Sequence, residues 1–334
     1  MQPTTQPEVC DAVSRPMRAS YLLCIFAGLF GSLAVFAGLL LGLEITGHLP
    51  PPAFSNSLCA DEKLTFMRDN PVQSPNLLVV GSSVAWRHFD GETVANQRPG
   101  TRPLNGAFCG LHANQAVYVA NWLLDREASV REVVMIVDPQ DFAGCAAVPD
   151  AVFNRADADA YVYGQGSGWL PYMRYFSPAS LLRNARTVKA QRADLMEFDP
   201  LVFDRYGDGP LNTANSRDLL YGQPDPLDEA CFRALDSLAR RLKQEGRALT
   251  VVATPMHPQW KAEHDSQGAM MKAFDQKLRT TLARSGGDYW NGDADHTMAA
   301  AAFIDAIHLR WSAARTFSAQ IATRLTPPIA TLTP

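Results

Sequence analysis

The chain has 334 residues, 47% hydrophobic and 19% charged, with a formal net charge of −4 at pH 7. This allows one large globular domain plus an accessory segment. No basic stripe suits nucleic acid, and no P-loop or Gly-x-Gly-x-x-Gly motif follows a strand to cradle a nucleotide.

Residues 19 to 43 carry no charged side chain, a stretch long enough to cross a hydrocarbon core of about 30 Å as a helix. Arg15 and Arg18 precede it and Glu44 follows. The positive-inside rule therefore predicts residues 1–18 in the cytoplasm, 19–45 as a single-pass anchor, and the remainder outside. The alternative is a cleaved signal peptide. Its apolar region would far exceed the usual ~7–15 residues, and no Ala-x-Ala-like site follows, so an uncleaved anchor is favoured. Gly38 and Gly42 would permit close helix approach, although glycine is common in membrane helices anyway. Residues 46–75, rich in proline and polar side chains, read as a periplasmic stalk stiffened by Pro50-Pro51-Pro52.

The domain then spans 76–330. Apolar runs Leu77 to Val80, Val133 to Val137 and Leu249 to Ala253 predict buried strands. Helices are expected around His112 to Arg126, over 227–243 with Cys231, Leu235, Leu238 and Leu242 on one stripe before Gly246, and over Lys272 to Arg284. Continuous apolar strands alternating with helices predict a doubly wound, three-layer α/β fold with a parallel sheet and its sites at the carboxyl ends of the strands. Residues 143–226 are the least regular part, with tyrosines and Trp169 among glycines and prolines; such an insertion suits a carbohydrate groove, although aromatics also pack an insertion onto its own domain.

Two short motifs carry chemistry. Gly81-Ser82-Ser83 follows the first strand, and Asp305-Ala306-Ile307-His308 lies near the C-terminus. A serine on a turn after a buried strand, with an Asp and a His three residues apart, supplies a nucleophile, an orienting carboxylate and a general base. Singly, each has a bland reading: Gly and Ser are common turn residues, and Asp305 could cap a helix beside an idle His308.

Between them, in order, stand Asn105-Gly106-Ala107-Phe108-Cys109-Gly110 and Val133-Val134-Met135-Ile136-Val137-Asp138-Pro139-Gln140-Asp141-Phe142. With all four blocks the chain resembles the SGNH (GDSL-like) hydrolase superfamily over roughly residues 76–318. The resemblance implies Ser83 as nucleophile, with Ser82 in the family's Asp position, His308 as base and Asp305 as its partner. The oxyanion donors would be the N–H groups of Ser83 and Gly110 and the side chain of Gln140, which replaces the family's Asn with a longer amide. Gly-Ser-Ser with an irregular third block is similar to the membrane-anchored branch that serves bacterial exopolysaccharide O-acetylation, more than to secreted lipases.

Cys59, Cys109, Cys145 and Cys231 lie beyond the anchor, so two disulfides with three pairings are open. Cys109 and Cys145 each follow a block ending at the expected catalytic rim and are expected to pair first; buried free thiols are the alternative. His257, in Thr254-Pro255-Met256-His257-Pro258, is a candidate rim or substrate contact, or a structural histidine, and Trp169 and Tyr172 are candidate acceptor contacts. A metal group can be drawn from His257, Asp293, Asp295, His296 and His308, but no ligand spacing supports it; neither metal nor cofactor is expected. The implied function is periplasmic serine-dependent acyl transfer, most simply O-acetylation of a surface or exported polysaccharide by an acyl donor that a membrane-bound O-acyltransferase partner would supply. A membrane-anchored esterase or deacetylase and a non-catalytic polysaccharide-binding subunit are the alternatives.

Overall fold

The computed structural model describes residues 19–164, 166–193, 200–222, 225–295 and 298–325. The chain divides into two compact units, at Leu49 and Pro50. In the first, helix α1 (Ala19–Ile45) has a mean hydropathy of 2.3 and is long and apolar enough to cross a membrane.

The second unit begins with α2 (Leu58–Asp69), followed by β1 (Leu77–Gly81), α3 (Ser83–His88), α4 (Gly91–Gln97), β2 (Pro103–Asn105), α5 (Ala113–Arg126) and β3 (Glu132–Val137). Four short helices come next: α6 (Arg155–Val162), α7 (Leu170–Arg174), α8 (Pro178–Ala185) and α9 (Val188–Ala193). The chain continues through α10 (Glu229–Gln244), β4 (Ala248–Ala253), α11 (Pro258–His264), α12 (Ala269–Ser285), β5 (Asp288–Asn291), α13 (Gly292–Asp295) and α14 (Trp311–Arg324). The strands form a five-stranded, all-parallel sheet in the order β2-β1-β3-β4-β5. Neighbouring strand residues feed opposite cores. Leu78, Val80, Val133, Met135 and Val137 pack under α5, α10 and α12, whereas Leu77, Val79, Val134 and Ile136 pack under α3, α4 and α14. Burial on both faces is why these strands read as unbroken apolar runs rather than alternating ones.

Helix α10 follows from its sequence. Asp228 caps it by accepting the Ala230 amide at 2.8 Å, the stripe Cys231, Leu235, Leu238 and Leu242 is buried, and Gly246 turns the chain at φ +65°.

Two expectations need correction. Residues 46–75 are not a free stalk: α2 occupies 58–69, with Ala60 and Leu64 fully buried and packed against the insertion helix α6. Its polar residues hid this role, because Asp61, Glu62 and Lys63 are themselves buried and each is paired. The Lys63 ammonium donates to the Gly207 carbonyl, Glu62 pairs with Arg192, and Asp61 accepts the Ser55 amide. Nor do Cys109 and Cys145 pair. The bonds are Cys59–Cys109 and Cys145–Cys231, with Cα separations of 6.3 and 5.4 Å. The first clips α2 to the loop after β2. The second follows from the antiparallel bridge Ala143–Leu227, which closes the two ends of the insertion onto the first turn of α10.

Burial pushes the Asp61 carboxyl up from 3.8 to about 8, against the lowering effect of its Ser55 hydrogen bonds. A raised carboxyl binds its proton more tightly in the folded chain, so its stabilising contribution is complete below about pH 4 and is lost as pH rises towards 8. Asp61→Asn keeps an acceptor for Ser55 and removes the charge. The expected result is a melting temperature equal to wild type at pH 4 and several degrees higher at pH 8; parallel melting curves at both values would disprove the assignment.

Candidate active site

The site forms where β1 and β3 end. The chain leaves β1 towards β2 on one side and crosses to β3 on the other, which opens a crevice at their carboxyl ends. Gly81 makes the exit turn at φ +142°, and a Cβ there would lie 2.4 Å from the Ile136 carbonyl oxygen, so only glycine fits. Ser82 caps α3, and Ser83 is the first residue of that helix.

The Oγ of Ser83 lies 2.9 Å from His308 Nε2, and His308 Nδ1 lies 2.9 Å from Asp305 Oδ2. Asp305 Oδ1 accepts the amides of Ile307 and His308 at 2.9 and 2.7 Å. The Asp–x–x–His spacing works because the carboxylate ties down the very turn that carries its histidine. Burial pushes the Asp305 carboxyl up, but the His308 charge and hydrogen bond and these two amides outweigh it and hold it below the usual carboxylate range. The carboxylate therefore stays ionised and fixes the His308 tautomer with Nε2 facing Ser83.

A cavity of about 470 Å³ opens over this triad, and Ser83, His308, Gly110 and Gln140 line it. Gly110 takes φ +69°. Asp138 Oδ1 accepts the amides of Gln140 and Asp141 at 2.7 and 3.1 Å, folding the short 3₁₀ turn Gln140–Phe142. That turn brings Gln140 to the cavity, and its Nε2 is buried with no hydrogen-bond partner. An unused buried donor is costly unless a ligand or reaction intermediate takes it. Asp138 is itself pushed up to about 6 by burial, and Asp141 higher still by burial and then by the charge of Asp138.

Of the other expected residues, His257 caps α11 and donates its amide to the Ala306 carbonyl at 3.0 Å, with its ring against Phe303. It braces the turn that carries His308 and does not line the cavity. Trp169 and Tyr172 pack against each other, and the Tyr172 hydroxyl donates to the Pro50 carbonyl at 2.7 Å; neither lines the cavity. The imagined metal group is not assembled among the described residues: Asp293 is taken by Lys261 and the Met256 amide, and His308 by the triad, while the Asp295 side chain and His296 lie outside the described residues. Asp90, Asp204 and Asp208 do bring carboxylate oxygens within 4.8 Å of one another. Their partners are already protein groups, including the Gly91 amide and Asn105 on Asp208 and Arg315 on Asp90.

Three residues invisible in the motifs complete the site. Arg217 Nη1 stands 3.6 Å from Asp305 Oδ2, a buried cation beside the triad carboxylate, and its amide donates to the Ile304 carbonyl at 2.6 Å. His88 Nε2 accepts the Leu309 amide at 2.8 Å while Nδ1 meets the Thr254 hydroxyl at 2.7 Å. Its pKa is driven well below the usual value by burial and then by the His308 charge, so it is a neutral strut. Tyr221 holds φ +86°, lines the cavity and sets its ring 5.7 Å from that of His308. No sequence pattern marks Arg217 or His88, since each acts through a partner distant in the chain; Tyr221 belongs to the aromatic insertion expected to form an acceptor groove, and of the insertion's tyrosines and Trp169 it is the one that lines the cavity.

Replacing Gln140 by Leu removes the unpaired donor and little else. The expected outcome is unchanged or slightly raised thermal stability, with kcat on a small ester down by ~10²–10³ and KM nearly unchanged. An unaltered kcat would remove Gln140 from the oxyanion site. No family model matches this chain and no curated protein matches it, so the functional reading rests on this geometry.

Proposed function

We propose that the protein is an SGNH-type serine acyltransferase, anchored in the bacterial inner membrane by α1 with the domain from Pro50 onward in the periplasm, and that it O-acetylates a surface or exported polysaccharide. The observation that carries this reading is the bonded relay from Ser83 Oγ through His308 to Asp305 beneath an open cavity. The strand order, with Ser83 and Gln140 at the ends of β1 and β3, is consistent with the doubly wound arrangement of that superfamily. The two disulfides suit an oxidising compartment.

In the first half-reaction Ser83 Oγ attacks the acyl carbonyl and His308 Nε2 takes its proton. The N–H groups of Ser83 and Gly110 and the Gln140 side chain receive the oxyanion, and His308 returns the proton to the leaving group as the bond to it breaks. In the second, the acceptor hydroxyl gives its proton to His308 and attacks the acyl carbon; the bond to Ser83 breaks and Ser83 Oγ regains the proton. The donor would come from a membrane-bound O-acyltransferase partner. No metal or cofactor takes part in these steps.

If water is the acceptor, the same steps describe an esterase or deacetylase. The exposed Tyr221 ring beside His308 favours transfer, because a sugar face can stack there with a hydroxyl directed at Nε2. A binding-only subunit has no use for a serine hydrogen-bonded to an oriented histidine.

The full chain in detergent is expected to release acetyl from a chromogenic ester, and Ser83→Ala and His308→Ala are each expected to lose most of that rate, with Asp305→Asn down by ~10⁴-fold. Full activity in Ser83→Ala would refute the nucleophile assignment. Polysaccharide fragments are expected to accelerate donor turnover and to carry acetyl away, and Tyr221→Ala is expected to cut that stimulation by ~10-fold while leaving basal hydrolysis within about twofold. Rapid ester cleavage indifferent to every glycan would make the protein an esterase.

A further inference from the structure

Away from Tyr221, the insertion carries a second kind of surface. On α7 and α8 and the turns around them, Trp169, Leu170, Met173, Phe176 and Leu182 are exposed by 41, 65, 57, 48 and 61%. Leu181 and Ala185 of α8 are buried, so the insertion has an inner apolar face of its own and the exposed side chains are additional. From Tyr163 to Ala193 the sequence has five basic residues, Arg174, Arg183, Arg186, Lys189 and Arg192, and no acidic one, in a chain of net charge −4. Arg174 pairs with Asp157 and Arg192 with Glu62. Arg183, Arg186 and Lys189 are exposed and make no ion pair among the described residues.

Exposed large apolar side chains, Trp169 and Phe176 among them, on a segment where the exposed Arg183, Arg186 and Lys189 have no ion pair among the described residues match the chemistry of a bilayer interface, where rings and aliphatic chains enter the acyl boundary and Lys and Arg meet anionic headgroups. Chain connectivity identifies the bilayer. The Tyr172 hydroxyl on α7 is bonded to the carbonyl of Pro50, and Pro50 follows the end of α1 at Ile45 by only five residues, a tether that cannot exceed about 18 Å.

We propose that Trp169, Leu170, Met173, Phe176 and Leu182, fringed by Arg183, Arg186 and Lys189, form a docking surface for the anionic face of the membrane in which α1 is anchored. Docking would hold the catalytic domain down on the bilayer at a second point instead of leaving it to swing on the short tether, and would fix the direction in which the cavity opens. The proposal rests on the anchored reading above.

Tryptophan fluorescence tests it on the full chain reconstituted into vesicles of phosphatidylcholine with about 30% phosphatidylglycerol. Trp86, Trp122, Trp260 and Trp290 are buried at 1, 1, 0 and 6% and Trp311 is half-buried, so the Trp169 signal is read as the difference between wild type and Trp169→Phe. The expected result is quenching by brominated phosphatidylcholine that largely disappears in Trp169→Phe, together with protection of that component from aqueous iodide relative to detergent. Arg183→Glu combined with Arg186→Glu and Lys189→Glu is expected to lower the brominated-lipid quenching to less than about half, and pure phosphatidylcholine vesicles to do the same to wild type. A chain that floats with the vesicles while Trp169 stays open to iodide overturns the docking surface alone, and leaves that face to a protein partner. A chain that does not float overturns the anchored reading and the docking surface with it.

Discussion

The buried carboxylate of Asp305 is the constraint around which the site is organised. A charge placed that deep is stable only if almost every lone pair is used, and here two backbone amides, the His308 imidazole and the Arg217 guanidinium surround it. Satisfying the charge also shapes the chain: the two amides belong to Ile307 and His308, so the group that must be neutralised folds the turn that presents the base. The consequence reaches across 225 residues, to the serine at the end of β1.

The same logic holds in the shell behind it. His88 receives the Leu309 amide, His257 donates to Ala306, and Ser318 on α14 donates to the His88 carbonyl while accepting the Asp90 amide. The turn that carries His308 is thus clamped between the C-terminal end of α3 and the N-terminal end of α11, which follow β1 and β4 on either side of β3. Gln140 and Asp138 depart from this economy, since Nε2 of one and Oδ2 of the other are buried without partners and both residues line the cavity. Unpaired polar groups on a cavity wall are ones that a bound molecule can satisfy.

Polar interior contacts also explain the accessory parts. Helix α2 looks like linker in sequence because Asp61, Glu62 and Lys63 interrupt its apolar residues, yet all three are buried against the 50s segment and the insertion. Together with the Cys59–Cys109 bond at the cavity wall, this makes the segment after Pro50 part of the α/β domain. The aromatics of the insertion divide by position: Tyr161 packs inward on Phe54, while Trp169 lies on the exposed face and Tyr221 reaches the cavity.

The sequence by itself determined what depends on local periodicity and local chemistry. The apolar helix 19–45, the runs that became β1, β3 and β4, the α10 stripe, and the Ser83, Asp305 and His308 set are legible because neighbouring residues carry their pattern. Tertiary structure alone decided the disulfide partners, the helix in the supposed stalk, the recruitment of Arg217 and His88, and which aromatics of the insertion reach the cavity, Tyr221 doing so and Trp169 and Tyr172 not. Each of these depends on which loops the strand order β2-β1-β3-β4-β5 brings together and on which buried charge finds which partner, and such long-range pairings leave no spacing in the chain to read.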